Sequence, residues 1–132
     1  MENLNIWAVL AATVSSFVLG GMWFSPIMFA KTWMRVTGLS EETLAKGNMG
    51  KILGGSFFLT LIMAVNLAMF LGKEADWIWG LTAGLLVGIG WVGTALGVIY
   101  LFERRTFKHF LINAGFQAIS FGVMGLILGL WH

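Results

Sequence analysis

WIWGLTAGLLVGIGWVGTALGVIYLF, residues 77–102, contains no Asp, Glu, Lys, Arg or His. A helix needs about 20 mainly apolar residues to cross roughly 30 Å of hydrocarbon, and this stretch is more than long enough. In lipid every backbone N–H and C=O must be satisfied within the segment, which leaves a helix as its structure. Three further runs have the same character: residues 6–30, 52–71 and 107–131. Only Lys108 and His109, at the start of the last run, are ionisable. A charge at a helix centre costs about 2.5–3.5 kcal/mol on insertion scales, so their position at the edge is the expected one. The fold expected is all-α: one membrane domain over residues 1–132, an integral four-helix bundle, with a polar loop at 31–51.

Composition points the same way. Of 132 residues, 58% are hydrophobic and 11% charged, and the mean hydropathy is +0.87. A soluble domain carries about 25% charged residues, so lipid must solvate most of this surface. Cysteine is absent, which removes disulfides, thiolate nucleophiles and Cys-based metal sites. Two unpaired histidines give no zinc-binding spacing, and no cofactor is implied. The net charge of +2 is carried at the ends of apolar segments, which argues against nucleic acid as a partner. A cleaved leader is not expected, because the first run follows Glu2 rather than a basic stretch and is too long.

Loop 31–51 holds Lys31, Arg35, Lys46 and Lys51, and the third connection holds Arg104 and Arg105 with Lys108 just beyond. The second turn has Lys73, offset by Glu74 and Asp76. The positive-inside rule then places loops one and three in the cytoplasm, both hairpins in the same orientation and both termini outside. Trp7, Trp77, Trp79 and Trp131 fall at the outer ends of the spans; Trp33, Phe102, Phe107 and Phe110 mark the inner interface. Within loop one, Ser40 can cap a short helix that has Glu41 and Glu42 in its first turn and ends at Lys46–Gly47. Such a helix either lies on the inner leaflet or docks a partner.

Small residues recur every four positions in the first and third spans: Ala8, Ala12, Ser16 and Gly20, then Gly80, Gly84 and Gly88, followed out of phase by Gly93 and Gly97. Stripes of this kind let helix backbones approach closely. The first and third spans are therefore expected to pack on each other or on a neighbouring subunit. The shared orientation of the hairpins differs from the inverted repeats of many transporters, and the charge bias opposes dual-topology assembly.

Polar residues inside a membrane are costly and mark contacts or pathways. His109, Asn113, Gln117 and Ser120 share one face of the fourth span, over about 16 Å. Trp23 and Ser25 on the first span, and Trp91, Thr94 and Tyr100 on the third, reach similar depths. One reading makes Trp23, Ser25, Trp91, Tyr100, His109, Asn113 and Gln117 the lining of an inward-opening cavity for a small neutral or amphipathic molecule or a lipid. The other makes them interhelical glue, about 0.6 kcal/mol per contact. His109 also suits the headgroup region. Pro26 removes a backbone donor late in the first span and is expected to kink it.

The run Gly20-Gly21-Met22-Trp23-Phe24-Ser25-Pro26, then Phe29, Lys31 and Trp33-Met34 before Gly38-Leu39-Ser40, resembles the domain of unknown function 1761 family. Ile112-Asn113-Ala114-Gly115-Phe116 resembles it again in the last span. The resemblance covers essentially the whole chain. It implies four spans and a bacterial inner membrane, and it brings no activity.

An enzyme is not expected, since no Ser-His-Asp set, metal cluster or pair of embedded carboxylates is present to carry acid–base chemistry. Ion-coupled transport lacks an intramembrane carboxylate. Two functions stay open: a homo-oligomer that binds or passes a small molecule through the cavity, and an accessory module that packs against itself or a larger membrane complex.

Overall fold

Asn5 opens the first helix, its side-chain oxygen accepting hydrogen bonds from the backbone N–H groups of Trp7 and Ala8. The protein's architecture, seen in a computed structural model, is described for residues 4–72 and 74–131; Glu2 and Lys73, used in the leader and charge arguments, lie outside the described residues. Helix α1 runs Ile6–Trp23, α2 Ala30–Thr37, α3 Glu41–Ala45 and α4 Met49–Leu71. A third span follows as α5 (Trp77–Val87), a π-helical turn (Gly88–Gly93) and α6 (Thr94–Glu103), and α7 (Phe107–Leu130) completes the chain. No strand occurs among the described residues. Four helices are long and apolar enough to cross a membrane: α1, α4, the α5–α6 unit and α7.

The first span is shorter than the sequence suggested. Pro26 does not kink one long helix; it ends α1. Proline has no N–H to continue the ladder and pushes Ser25 out of helical geometry. The freed groups are reused in a tight turn: Phe29 N–H donates to the Trp23 carbonyl and Ala30 N–H to the Ser25 carbonyl, both at 3.1 Å. The chain restarts as α2, which packs against α7 and closes at Gly38, where φ of 77° suits a residue without Cβ. The helix expected from the Ser40 cap is present as α3, with Ser40 Oγ accepting from Thr43 N–H at 3.1 Å.

α7 is the most buried of the four spans and forms the axis of the bundle. α5, the π turn and α6 run antiparallel along one side of it, α1 along another, and α4 leans on α1 with sparser contacts to α7 and α5. The core between them is built from Ala8, Val9 and Ala12 of α1, Ala64, Leu67 and Leu71 of α4, and Phe121, Met124 and Leu128 of α7. The burial pattern on α4 follows helical periodicity: Thr60, Ala64, Leu67 and Leu71 face inward.

The glycine stripe of the third span does not meet the first span. It packs against α7. A methyl group on Gly80 would overlap the carbonyl oxygen of Gly125, and one on Gly84 that of Phe121. One on Gly88 would lie 2.8 Å from the Ala118 Cα. The partner helix supplies its own small residues: a methyl on Gly125 would strike the Gly80 carbonyl oxygen, and one on Gly129 that of Asp76. The two backbones are in contact, which only glycine permits. The α1 stripe also turns inward, with Ala8, Ala12 and Ser16 buried, and a side chain on Gly20 would begin 3.4 Å from the Phe116 ring.

The π turn accounts for the break in phase. The step from Gly88 to Gly93 is five residues rather than four, and a π turn closes i to i+5. Downstream glycines therefore stay on the α7 side. A side chain on Gly93 would begin 3.8 Å from the Ala114 Cβ, and one on Gly97 3.1 Å from the Phe110 ring.

Candidate functional site

The residues expected to line one cavity fall into separate places. Trp23, at the last turn of α1, sends its indole N–H to the Ile112 carbonyl of α7 at 2.9 Å. Its ring packs on Phe29, centroids 4.8 Å apart, and lies 3.3 Å from where a side chain on Gly115 would begin. Ser25 donates to the Met22 carbonyl at 2.7 Å and stays within its own turn. Trp91, inside the π turn, is 66% exposed and points away from the bundle; its one aromatic neighbour is Phe70 of α4, at 6.1 Å.

Tyr100, His109 and Asn113 do come together, between α6 and α7. Asn113 Nδ2 donates to the Tyr100 hydroxyl at 2.8 Å, and the His109 ring lies 4.8 Å from the Tyr100 ring. His109 is only 5% exposed. It is held by the first turn of α7, where its backbone N–H donates to the Thr106 cap at 3.1 Å. Its Nδ1 is buried without a hydrogen-bond partner among the described residues. Gln117 is half-buried where α7 meets the π turn, its carbonyl oxygen 2.8 Å from where a side chain on Gly88 would begin.

Ser120, last of the polar stripe on α7, pairs with another element again. Its hydroxyl shares a hydrogen bond with Ser16 of α1 at 2.7 Å, and Ser120 is 1% exposed. One face of α7 therefore serves two neighbours: Asn113 reaches α6, and Ser120 reaches α1. In an apolar surrounding each pair satisfies what would otherwise be a stranded polar group.

Sequence reasoning passed over two sets of residues. Gly122, Gly125 and Gly129 are the α7 half of the backbone seam, and their spacing of three and four was the signal for it. The sequence marks Arg105 as a topology signal and Phe107 and Phe110 as interface residues. Together with Gly97, Tyr100, Leu101 and Thr106 they line an open groove of about 280 Å³ at the α6–α7 turn.

A second surface stands out by what it lacks. From Met49 to Leu59, α4 is exposed at every position but Phe57, which is half-buried and touches Phe17 edge to face at 5.5 Å. Nothing lies within 4 Å of where a side chain would begin on Gly54 or Gly55. Gly50 meets only the Asn48 side chain, at 3.5 Å. The half of α4 that follows α3 therefore stands clear of the bundle, with small residues at 50 and 54 one above the other.

Fold and surface define a small all-helical protein with four helices long and apolar enough to cross a membrane and a backbone-packed hairpin at its centre. The chain belongs to the DUF1761 family, described as protein of unknown function, whose profile matches residues 7–129. No curated protein and no solved structure matches it.

Proposed function

We propose that the protein is a packing module of the membrane, a homo-oligomer joined through the free half of α4. The observation that carries this is Gly54 and Gly55, open on the exposed half of α4, with Gly50 one turn before them meeting only the Asn48 side chain. Glycine is about 0.8–1.0 kcal/mol worse than alanine in a helix on scales measured in water. In the α5–α7 seam backbone contact compensates for that cost. On α4 nothing among the described residues does, and a second backbone would. Flanking Leu53 and Phe58, both more than half exposed, supply the ridges that a crossing helix would pack between. A second copy brings the same face, so a two-fold contact at Gly54 is self-complementary.

The hydrogen bonding inside the bundle supports this reading over passage of a small molecule. Trp23, Asn113, Ser16 and Ser120 are engaged between helices, and Trp91 faces outward. Few polar groups are left to line a path. We place the end that carries Arg104, Arg105 and loop 31–51 in the cytoplasm of a bacterial inner membrane, on the basic residues gathered there.

Native mass spectrometry from mild detergent tests the oligomer. The wild type is expected as one defined oligomer and Gly54→Leu as a monomer with an unchanged melting temperature. A monomeric wild type, or an oligomer indifferent to Gly54→Leu, refutes the α4 interface.

A further inference from the structure

We propose that the groove at the α6–α7 turn holds the phosphate headgroup of an anionic phospholipid, with part of an acyl chain in its apolar floor. The site is independent of the α4 face. Gly97 leaves the space, and the rings of Tyr100, Phe107 and Phe110 wall it, the last two stacked with centroids 5.9 Å apart. A volume of about 280 Å³ sits just below the ~300–1,000 Å³ of drug-sized pockets and suits a segment of a chain-like molecule.

The polar rim offers donors. The Tyr100 oxygen already accepts from Asn113, and the Thr106 oxygen already accepts from the His109 N–H. Each hydroxyl still has its own proton to place, and neither proton finds an acceptor among the described residues. Arg105 adds a guanidinium with five N–H donors and a fixed charge. Its only ion-pair partner among the described residues is Glu103 at 3.0 Å, with both side chains close to half exposed. Solvent screens such an exposed pair and keeps it weak, and it leaves donors free for a phosphate. Arg104 and Lys108 flank the site in sequence, so three cations oppose one carboxylate.

Arg104 carries a further mark. It closes α6 in the left-handed region at φ 59°, the one non-glycine residue among those described to do so. Glycine is the usual occupant of such a helix end and would adopt it without strain. An arginine there strains the backbone and sets a second cation next in sequence to the groove-lining Arg105. Basic pockets between spans at a membrane surface recognise anionic headgroups by this combination of donors and apolar walls.

The test is lipid retention by the full chain, purified from vesicles of equal phosphatidylglycerol and phosphatidylcholine and read by native mass spectrometry. The wild type is expected to keep phosphatidylglycerol at least fivefold over phosphatidylcholine. Arg105→Gln should abolish that preference. Gly97→Leu, which fills the groove and keeps every charge, should lower retention of both lipids. Arg35→Gln, an equal charge loss in the other basic loop, should change nothing. Should Gly97→Leu fail to fold, Leu101→Trp at the exposed rim occludes the same groove and is expected to give the same loss. Equal retention of the two lipids, or the same loss from Arg35→Gln as from Arg105→Gln, overturns the site, as does competition by millimolar inorganic phosphate alone.

Discussion

Two glycine faces in this protein have the same chemistry and opposite surroundings. Along α5, the π turn and α7, Gly80, Gly84, Gly88, Gly125 and Gly129 bring two backbones together so closely that a methyl on any of them would meet main-chain atoms. Along the start of α4, Gly54 and Gly55 face open space. In lipid no hydrophobic force drives helices together, so association depends on close packing and a few polar contacts. A glycine face is therefore an investment that returns only when a partner arrives. The seam has its partner in the chain; the α4 face has none among the described residues, which is why it is assigned to a second copy.

The sharpest way to break this contrast is at the seam. Gly84→Ala places its methyl against the Phe121 carbonyl oxygen, an obstacle that cannot rotate away. Overpacking costs about 1–3 kcal/mol where side chains can yield; here the cost should lie at or above that range, and Gly84→Leu should not give a folded bundle. Thermal melts in detergent, with Gly54→Ala as the matched change on the open face, measure the difference. Equal effects from the two would mean that the seam is no more demanding than a lipid-facing surface.

A smaller effect sharpens the account of the third span. Removing the exposed Ile89 from the π turn shortens the step between Gly88 and Gly93 to four residues. That spacing keeps the glycines in line on an ordinary α-helix, so the deletion should be tolerated. Deleting Ile99 from α6 rotates the residues after it by about 100° and should lower the melting temperature clearly more. Similar losses from both deletions would show that the π turn is not what keeps Gly93 and Gly97 facing α7.

The smallest effect concerns the polar glue. Ser16→Ala and Ser120→Ala, made singly and together, should couple by about 0.6 kcal/mol, the average for hydrogen bonds between membrane helices. Additive losses would say that each hydroxyl is content with its own helix's carbonyls.

What the sequence made legible follows from how local each signal is. Span positions were plain from the gaps between charges, and the Ser40 cap located α3, because both are read within a few residues. The end of α1 was half legible. Pro26 marks the spot, but whether a proline kinks a helix or ends it depends on what satisfies the freed groups, and here the turn from Trp23 to Ala30 does so. The Gly88–Gly93 step was visible as a break in phase, yet its meaning needed the π turn. The partner of the third span was not legible, since a small-residue stripe says that a backbone approaches without saying whose. Gly122, Gly125 and Gly129 held that information in the last span. The spread of Trp23, Trp91 and Asn113 to separate neighbours was hidden for the same reason. A shared helix face fixes direction on one helix only, and depth in the membrane says nothing of which neighbour lies there.

The central claim is that the free half of α4 meets a second copy of itself. The chain has no native cysteine, so Gly54→Cys can be oxidised in isolated membranes and compared with Leu86→Cys, which is 61% exposed on α5. The account predicts a disulfide-linked dimer from Gly54→Cys and a monomer from Leu86→Cys. A monomer from Gly54→Cys, or equal cross-linking at the two positions, contradicts it.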